Sequence, residues 1–438
     1  MENSLYQLIK KRSHGISAGI VSFCTAHPLV LEACMEQALQ FDGDLLIEAT
    51  ANQVNQFGGY TGMRPADFRD LVFSIADTVD FPKNRILLGG DHLGPTVWKG
   101  LPESDAMANA IELVRSFISA GYQKIHLDTS MRLADDPLDT PLSDETIARR
   151  GALLFQACET AFEDLRKQHP DICPPAYVIG SEVPIPGGTQ GTAEDLLTIT
   201  HPEALLHTVE AYQHAFTQLG YSHHFNRIIG IVVQPGVEFG DDTIHRYDRN
   251  AARSLTNTAA KLPGIVLEGH STDYQPASLL REMVEDGIAI LKVGPALTFS
   301  LREGLFALSY IERELVPEFQ QAHLIETLDQ LMKNDPSNWA NHYFGTEQQL
   351  QIKRRYSYSD RCRYYFSHPR FQHATENLFQ NLDRVSIPMG LLHQYLPAQY
   401  YKVRDGRLPL NPRALAKDCV AELISDYQYA VYPQTHCR

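Results

Sequence analysis

The chain has 438 residues, with 38 Lys+Arg against 53 Asp+Glu and a formal net charge of −15. At 43% hydrophobic it is too apolar to be disordered, and its acidity disfavours wrapping a nucleic-acid backbone. Its length allows one large α/β barrel with additions, or two to three ordinary domains.

The first fifteen residues (MENSLYQLIKKRSHG) contain no apolar core of a signal peptide. No apolar run reaches the roughly 18 residues that a membrane helix needs. Seven cysteines are scattered with no CxxC pair, which argues against a zinc knuckle or a disulfide scaffold and for a reducing compartment. The expectation is a soluble cytoplasmic protein with an acidic surface and no membrane contact.

In chain order, short apolar runs alternate with segments of helical period. The runs are 19–24 (GIVSFC), 45–49 (LLIEA), 85–89 (RILLG), 124–127 (KIHL), 177–180 (YVIG), 228–233 (IIGIVV), 264–267 (GIVL) and 289–293 (AILKV). The helical patterns between them cover 28–40, 65–79, 104–120, 144–167, 202–219, 248–262 and 276–285. Short runs rich in β-branched residues read as buried parallel strands. Eight βα repeats in about 300 residues match a (β/α)₈ TIM barrel. An open doubly wound sheet is the competing fold, but no GxGxxG turn follows the first strand.

An amphipathic helix at 300–315 reads as the last barrel helix. Beyond it the strand series stops, and segments rich in Tyr, Arg, Gln and His follow, such as RRYSYSDRCRYYF at 354–366. The expected division is a barrel over 1–315 and a mostly helical C-terminal extension over 316–438, packed on it.

In a barrel, functional residues stand just after the carboxyl ends of the strands. Here those ends deliver Glu48, Thr50 and Asn52; Asp91 and His92; Asp128 and Ser130; Ser181 and Glu182; Gln234; Glu268, His270, Ser271 and Asp273; and Lys292. Each has a plainer reading as a helix cap, a turn residue or a strand-end charge. Their joint placement at one face of a barrel favours a site. Gly269 and Ser271, with the segment from Gly294 to Thr298, suggest a phosphate site of backbone N–H groups and a helix end. Arg302, one turn further on, reads as a surface residue.

At these residues the chain resembles a known family. LIEATANQVNQFGGYTGM, ILLGGDHLGP, KIHLD, YVIGSEVPIPGG, VVQPGVEF, GHSTDYQ and ILKVGPALTFSLRE are similar to the Z subunits of bacterial tagatose-1,6-bisphosphate aldolase. RYSYSDRCRYYF and QYLP extend the likeness toward the C-terminus. The resemblance implies a non-catalytic component of the aldolase in D-tagatose 6-phosphate degradation, on the galactitol or the N-acetylgalactosamine route. It would be needed, in a chaperone-like way, for the activity and stability of a catalytic Y subunit, a class II zinc enzyme. The alternative is an autonomous metal-dependent class II-type aldolase acting on a phosphorylated ketose.

The catalytic chains of that class hold zinc through three histidines and move a proton with an aspartate. Asp91-His92 resembles their Asp-His pair. Gln234 lies in the counterpart of the second ligand segment, which lacks a histidine, and Glu268 takes the place of the third, with His270 two residues later. Gly294 replaces an asparagine of their phosphate segment. Three outcomes stay open for the pocket: an inactive relic, a sugar-phosphate binding site lined by residues such as Glu48, Asn52, Asp128, Glu182, Gln234, Gly269, Ser271, Lys292, Gly294 and Thr298, or a zinc site of His92, Glu182 and His270. A GxxxxGK[ST] phosphate loop is absent, which speaks against kinase activity. The Tyr- and Arg-rich stretch at 354–366 reads either as a partner contact or as packing of the extension on the barrel.

Overall fold

The computed structural model describes residues 3–183 and 197–432. The PIPGG stretch at 184–188 and Cys437 lie outside them. Among the described residues ten strands occur: β1 (Ile20–Cys24), β2 (Leu45–Thr50), β3 (Ile86–Leu93), β4 (Lys124–Leu127), β5 (Ala176–Ile179), β6 (Ile228–Val233), β7 (Glu238–Phe239), β8 (Ile244–His245), β9 (Val266–Gly269) and β10 (Ile288–Val293). Eight of them close a parallel barrel in the order β1-β10-β9-β6-β5-β4-β3-β2, while β7 and β8 pair antiparallel in the loop after β6. The fold is the expected TIM barrel, with each predicted run supplying one barrel strand.

The helices are α1 (Ser4–Ser13), α2 (Pro28–Ala38), α3 (Pro65–Thr78), α4 (Glu103–Ser119), α5 (Asp144–Gln168), α6 (Pro202–Gln218), α7 (Arg249–Ala259), α8 (Ala277–Glu285) and α9 (Pro295–Leu315). Proline at the first position starts α2, α3, α6 and α9, where its missing N–H costs nothing and its fixed φ suits the helix. Helix α1 was not anticipated. Its Leu5 and Leu8 plug the amino-terminal end of the barrel against Leu46, Leu87, Val178, Val266 and Ile290.

Beyond α9 come α10 (Leu324–Asn334), α11 (Glu347–Tyr356), α12 (Pro369–Asp383), α13 (Met389–Tyr395), α14 (Pro397–Arg404) and α15 (Pro412–Val431). Helix α15 returns to the barrel and packs on α2, α8 and α9. Its Arg413 reaches Glu32 of α2 at 2.7 Å, and Tyr427 Oη donates to Thr272 O at 2.9 Å.

Residues 357–366, between α11 and α12, cross the carboxyl face of the barrel as a strap. Tyr274 Oη donates to Tyr358 O at 2.5 Å, and the Tyr60 and Tyr364 rings meet at 4.9 Å. The buried Asp360 carboxylate accepts from Thr298 Oγ1 at 2.6 Å and Arg302 Nε at 2.9 Å. Two expectations change here. Arg302 is buried against Asp360 rather than on the surface, and most of the strap faces inward, with Asp360, Arg361, Cys362, Tyr365 and Phe366 buried. Those side chains are consumed by packing within the chain and are not presented to a partner.

A candidate metal and sugar-phosphate pocket

Inside a barrel strand every second residue points to the axis. The register aligns Cys24 with Glu48, Glu48 with Gly89, Gly89 with Lys124 and Ser22 with Lys292, which stacks charged side chains at one level. Gly89 makes room for them, because a Cβ there would lie 2.7 Å from Glu48 Cγ. Lys124 Nζ is 2.6 Å from Glu48 Oε1 and 2.7 Å from Glu268 Oε2. Lys292 Nζ contacts Asp91 Oδ1 and lies 3.6 Å from Glu48 and 3.7 Å from Glu268. Burial pushes the Glu48 and Glu268 carboxyls up, but Lys124 and its neighbours hold both below the usual carboxylate range.

Above this layer stand three histidines. The β3–β4 register shifts between Gly90 and Leu93, and His92 there has φ 48°. A bulge with one left-handed residue turns the strand locally, so that the adjacent Asp91 and His92 both line the mouth. Ser271, at φ 53°, carries similar strain after β9. The rings of His92, His126 and His270 form a triangle with centroids 5.0, 5.2 and 4.9 Å apart.

Each ring is anchored at one nitrogen by a carboxylate: His92 Nδ1 by Asp128 at 2.8 Å, His270 Nε2 by Glu268 at 2.9 Å and His126 Nδ1 by Asp91 at 2.9 Å. The backbone N–H of His92 donates to His126 Nδ1 at 3.2 Å, so that nitrogen is shared between this donor and the Asp91 carboxylate. His126 Nε2 is buried with no hydrogen-bond partner among the described residues. Burial lowers His126 and His270 to about 4, so both are neutral. Burial raises Asp128, but its hydrogen bond and charge contact with His92 outweigh that and hold it well below the usual range.

This arrangement suits a divalent cation. One donor atom from each of Asp91, His92, His126 and His270 lies within 4.8 Å of the others. Carboxylate-backed imidazoles are the usual outer support of a metal site. The buried layer sets four carboxylates (Glu48, Asp91, Asp128, Glu268) against two ammonium groups, leaving a formal excess of two negative charges. Zinc or a similar ion held there would polarise a carbonyl oxygen. The site differs from the set expected from the sequence. Glu182 is exposed and outside this cluster, and His126 takes its part. His126 and Lys124 were legible only as strand residues, although Lys124, His126 and Asp128 repeat at period two along one face.

The other expected residues separate. Asn52, Ser271, Asp273, Lys292 and Gly294 line a cavity of about 90 Å³ at the mouth, together with Asp91, His92 and His270. Glu48, Asp128 and Glu268 lie beneath it as counter-ions. Gln234 is turned into its own loop, its Oε1 accepting from Gly236 N at 2.9 Å and Val237 N at 3.0 Å. Gly269 is packed against Ile288, where a Cβ would lie 2.8 Å from its Cγ2. Thr298 holds the strap and borders a second cavity of about 330 Å³.

The phosphate cradle expected at the head of α9 is filled from within the chain, since Asp273 Oδ1 accepts from Gly294 N at 3.0 Å and Ala296 N at 2.8 Å. Burial raises Asp273 to about 6 and Glu238, beside it, to about 7.

Residues 5–432 match the family described as D-tagatose-1,6-bisphosphate aldolase subunit GatZ/KbaZ-like. The chain belongs to this family. It is 45% identical to the aldolase subunit GatZ of Salmonella dublin and 44% to that of Salmonella gallinarum, in each case over 98% of this chain and 99% of the relative. Among solved structures, a probable tagatose 6 phosphate kinase from Sinorhizobium meliloti 1021 superposes with a TM-score of 0.85 at 44% identity. That match covers 94% of this chain and all of the other. Among the described residues of this family member, no helix is long and apolar enough to cross a membrane.

Proposed function

We propose that this chain serves as the Z-type subunit of a D-tagatose-1,6-bisphosphate aldolase in D-tagatose 6-phosphate breakdown, supporting a catalytic Y subunit rather than cleaving the ketose alone. The observation that carries the reading is the state of Asp91. Its Oδ1 is held by both the Lys292 ammonium and His126, so the carboxylate stands as a counter-ion in a buried charge network with only Oδ2 left open, a poorer arrangement for a proton-transfer base than a carboxylate without such partners. The relatives, named as tagatose-1,6-bisphosphate aldolase subunits, supply the tagatose context. No phosphate-loop motif supports a kinase. Co-expressing the Y partner with and without this chain, then measuring its aldolase rate and thermal midpoint, tests the reading. Equal rates and equal midpoints would sink it.

A second reading, an autonomous metal-dependent aldolase acting on a phosphorylated ketose, is favoured by the donor set of Asp91, His92, His126 and His270. It requires stoichiometric metal in the isolated chain and turnover lost in Asp91→Ala. Cleavage of tagatose 1,6-bisphosphate by the isolated, metal-loaded chain would replace the first reading with this one.

A further inference from the structure

The mouth cavity and the 330 Å³ pouch adjoin, sharing Cys24, Gln53, Tyr60, Gly294 and Arg363. The mouth alone, at about 90 Å³, is too small for a ketose phosphate, whereas the combined space falls in the range of ligand sites. The charge on the walls is uneven. Lys292 is answered by Asp91, Glu48 and Glu268, and Arg413 by Glu32 at 2.7 Å. Arg363, on the strap at the division between the two cavities, has no carboxylate within ion-pair distance among the described residues.

Uncharged groups hold its guanidinium. Nη1 donates to Ser359 O at 2.5 Å and Asp360 O at 3.0 Å, and Nη2 donates to Tyr364 Oη at 3.1 Å. The Tyr364 ring lies 4.5 Å from the guanidinium carbon. These bonds use three of five N–H donors and fix the fork in place. Asp360 and Asp273 act on it only from beyond ion-pair distance, so part of its fork stays open to a ligand anion. The competing anion seat, at the head of α9, is already taken by Asp273.

We propose that Arg363 seats the phosphoryl group of a phosphorylated ketose whose carbon chain runs toward Asn52, Ser271 and the histidines. The ketose part rests on the proposed role in tagatose phosphate metabolism; the anion part rests on Arg363 alone. A strap from the C-terminal segment thereby gives an acidic barrel mouth its selectivity for phosphate.

The test is titration calorimetry on the full chain with inorganic phosphate, tagatose 6-phosphate and unphosphorylated tagatose, using wild type, Arg363→Gln and Arg363→Lys. Phosphate and tagatose 6-phosphate should bind the wild type and weaken at least tenfold in Arg363→Gln. Arg363→Lys should fall between, because an ammonium lacks the fork. Tagatose itself should bind all three alike. Absence of phosphate binding to the wild type overturns the proposal, as does equal affinity in Arg363→Gln with an unchanged melting temperature. If Arg363→Gln melts early, Arg363→Lys decides, and an unchanged phosphate affinity there overturns the proposal too. Phosphate binding with no gain for tagatose 6-phosphate over inorganic phosphate upholds the Arg363 seat and removes the ketose reading instead.

Discussion

Lys124 and Glu268 meet at 2.7 Å in the middle of the barrel with neither side chain exposed, and the same ammonium lies 2.6 Å from Glu48. A TIM barrel interior is ordinarily filled by branched apolar side chains. Here the lower layer obeys that rule and the upper layers are ionic, so each carboxylate depends on its cation.

Replacing Lys124 by Met should therefore destabilise the fold by about 3–5 kcal/mol, because it leaves Glu48 and Glu268 in a dry interior with only the Lys292 ammonium, 3.6 and 3.7 Å away and already held by Asp91. Urea denaturation measures this directly. A midpoint equal to wild type would mean that the layer is hydrated and the pairing argument fails.

Asp128→Asn should keep the fold and weaken zinc binding tenfold to a hundredfold, since the amide no longer holds the His92 ring through a charged acceptor at 2.8 Å. His126→Ala, which removes a donor outright, should weaken it further. Competition with a chromophoric chelator gives both affinities. Zinc affinity unaffected by either change would place the ion elsewhere.

Glu238 and Asp273 set a pH dependence of defined sign. Burial raises Glu238 from 4.5 to about 7 and Asp273 from 3.8 to about 6. Between pH 4 and 7 the folded chain thus holds protons that the unfolded chain has released, and these groups lose stability as pH rises through that window. The neutral histidines act in the opposite sense, so the comparison must be with Glu238→Gln. That variant should gain on wild type by up to about 3 kcal/mol from pH 4 to pH 7. Thermal midpoints across the range check it, and a gap that stays constant would contradict the assignment.

Gly304 on α9 lets α15 approach closely: a Cβ there would lie 3.0 Å from Cys419 Sγ and 3.1 Å from Ala416 Cα. Gly304→Val should cost about 1–3 kcal/mol by overpacking this contact. Proteolysis should then cut preferentially near α15. A normal melting curve with no new cleavage would show that α15 packs more loosely than described.

Much of the architecture was legible in the sequence because its causes are local. Strands buried on both faces must be short and apolar, and helices between them must show a 3.6-residue period, so eight repeats could be counted directly. Asp91-His92 was visible as a pair, and so were the polar strand ends, since a barrel gathers those ends at one mouth.

What tertiary structure alone decided is which of those residues meet. Glu182 and His126 both follow from strands of the same barrel, yet His126 points to the axis and joins His92 and His270, while Glu182 is exposed. Arg302 and Arg363 look alike in sequence, but one is neutralised by Asp360 and the other faces a cavity. Asp273 could not be known to fill the head of α9 until two loops were placed side by side. Composition and period report the environment of a residue averaged over its neighbours in the chain. Hydrogen bonds and ion pairs are made within about 3 Å between residues far apart in sequence, and only the closed barrel brings them into reach.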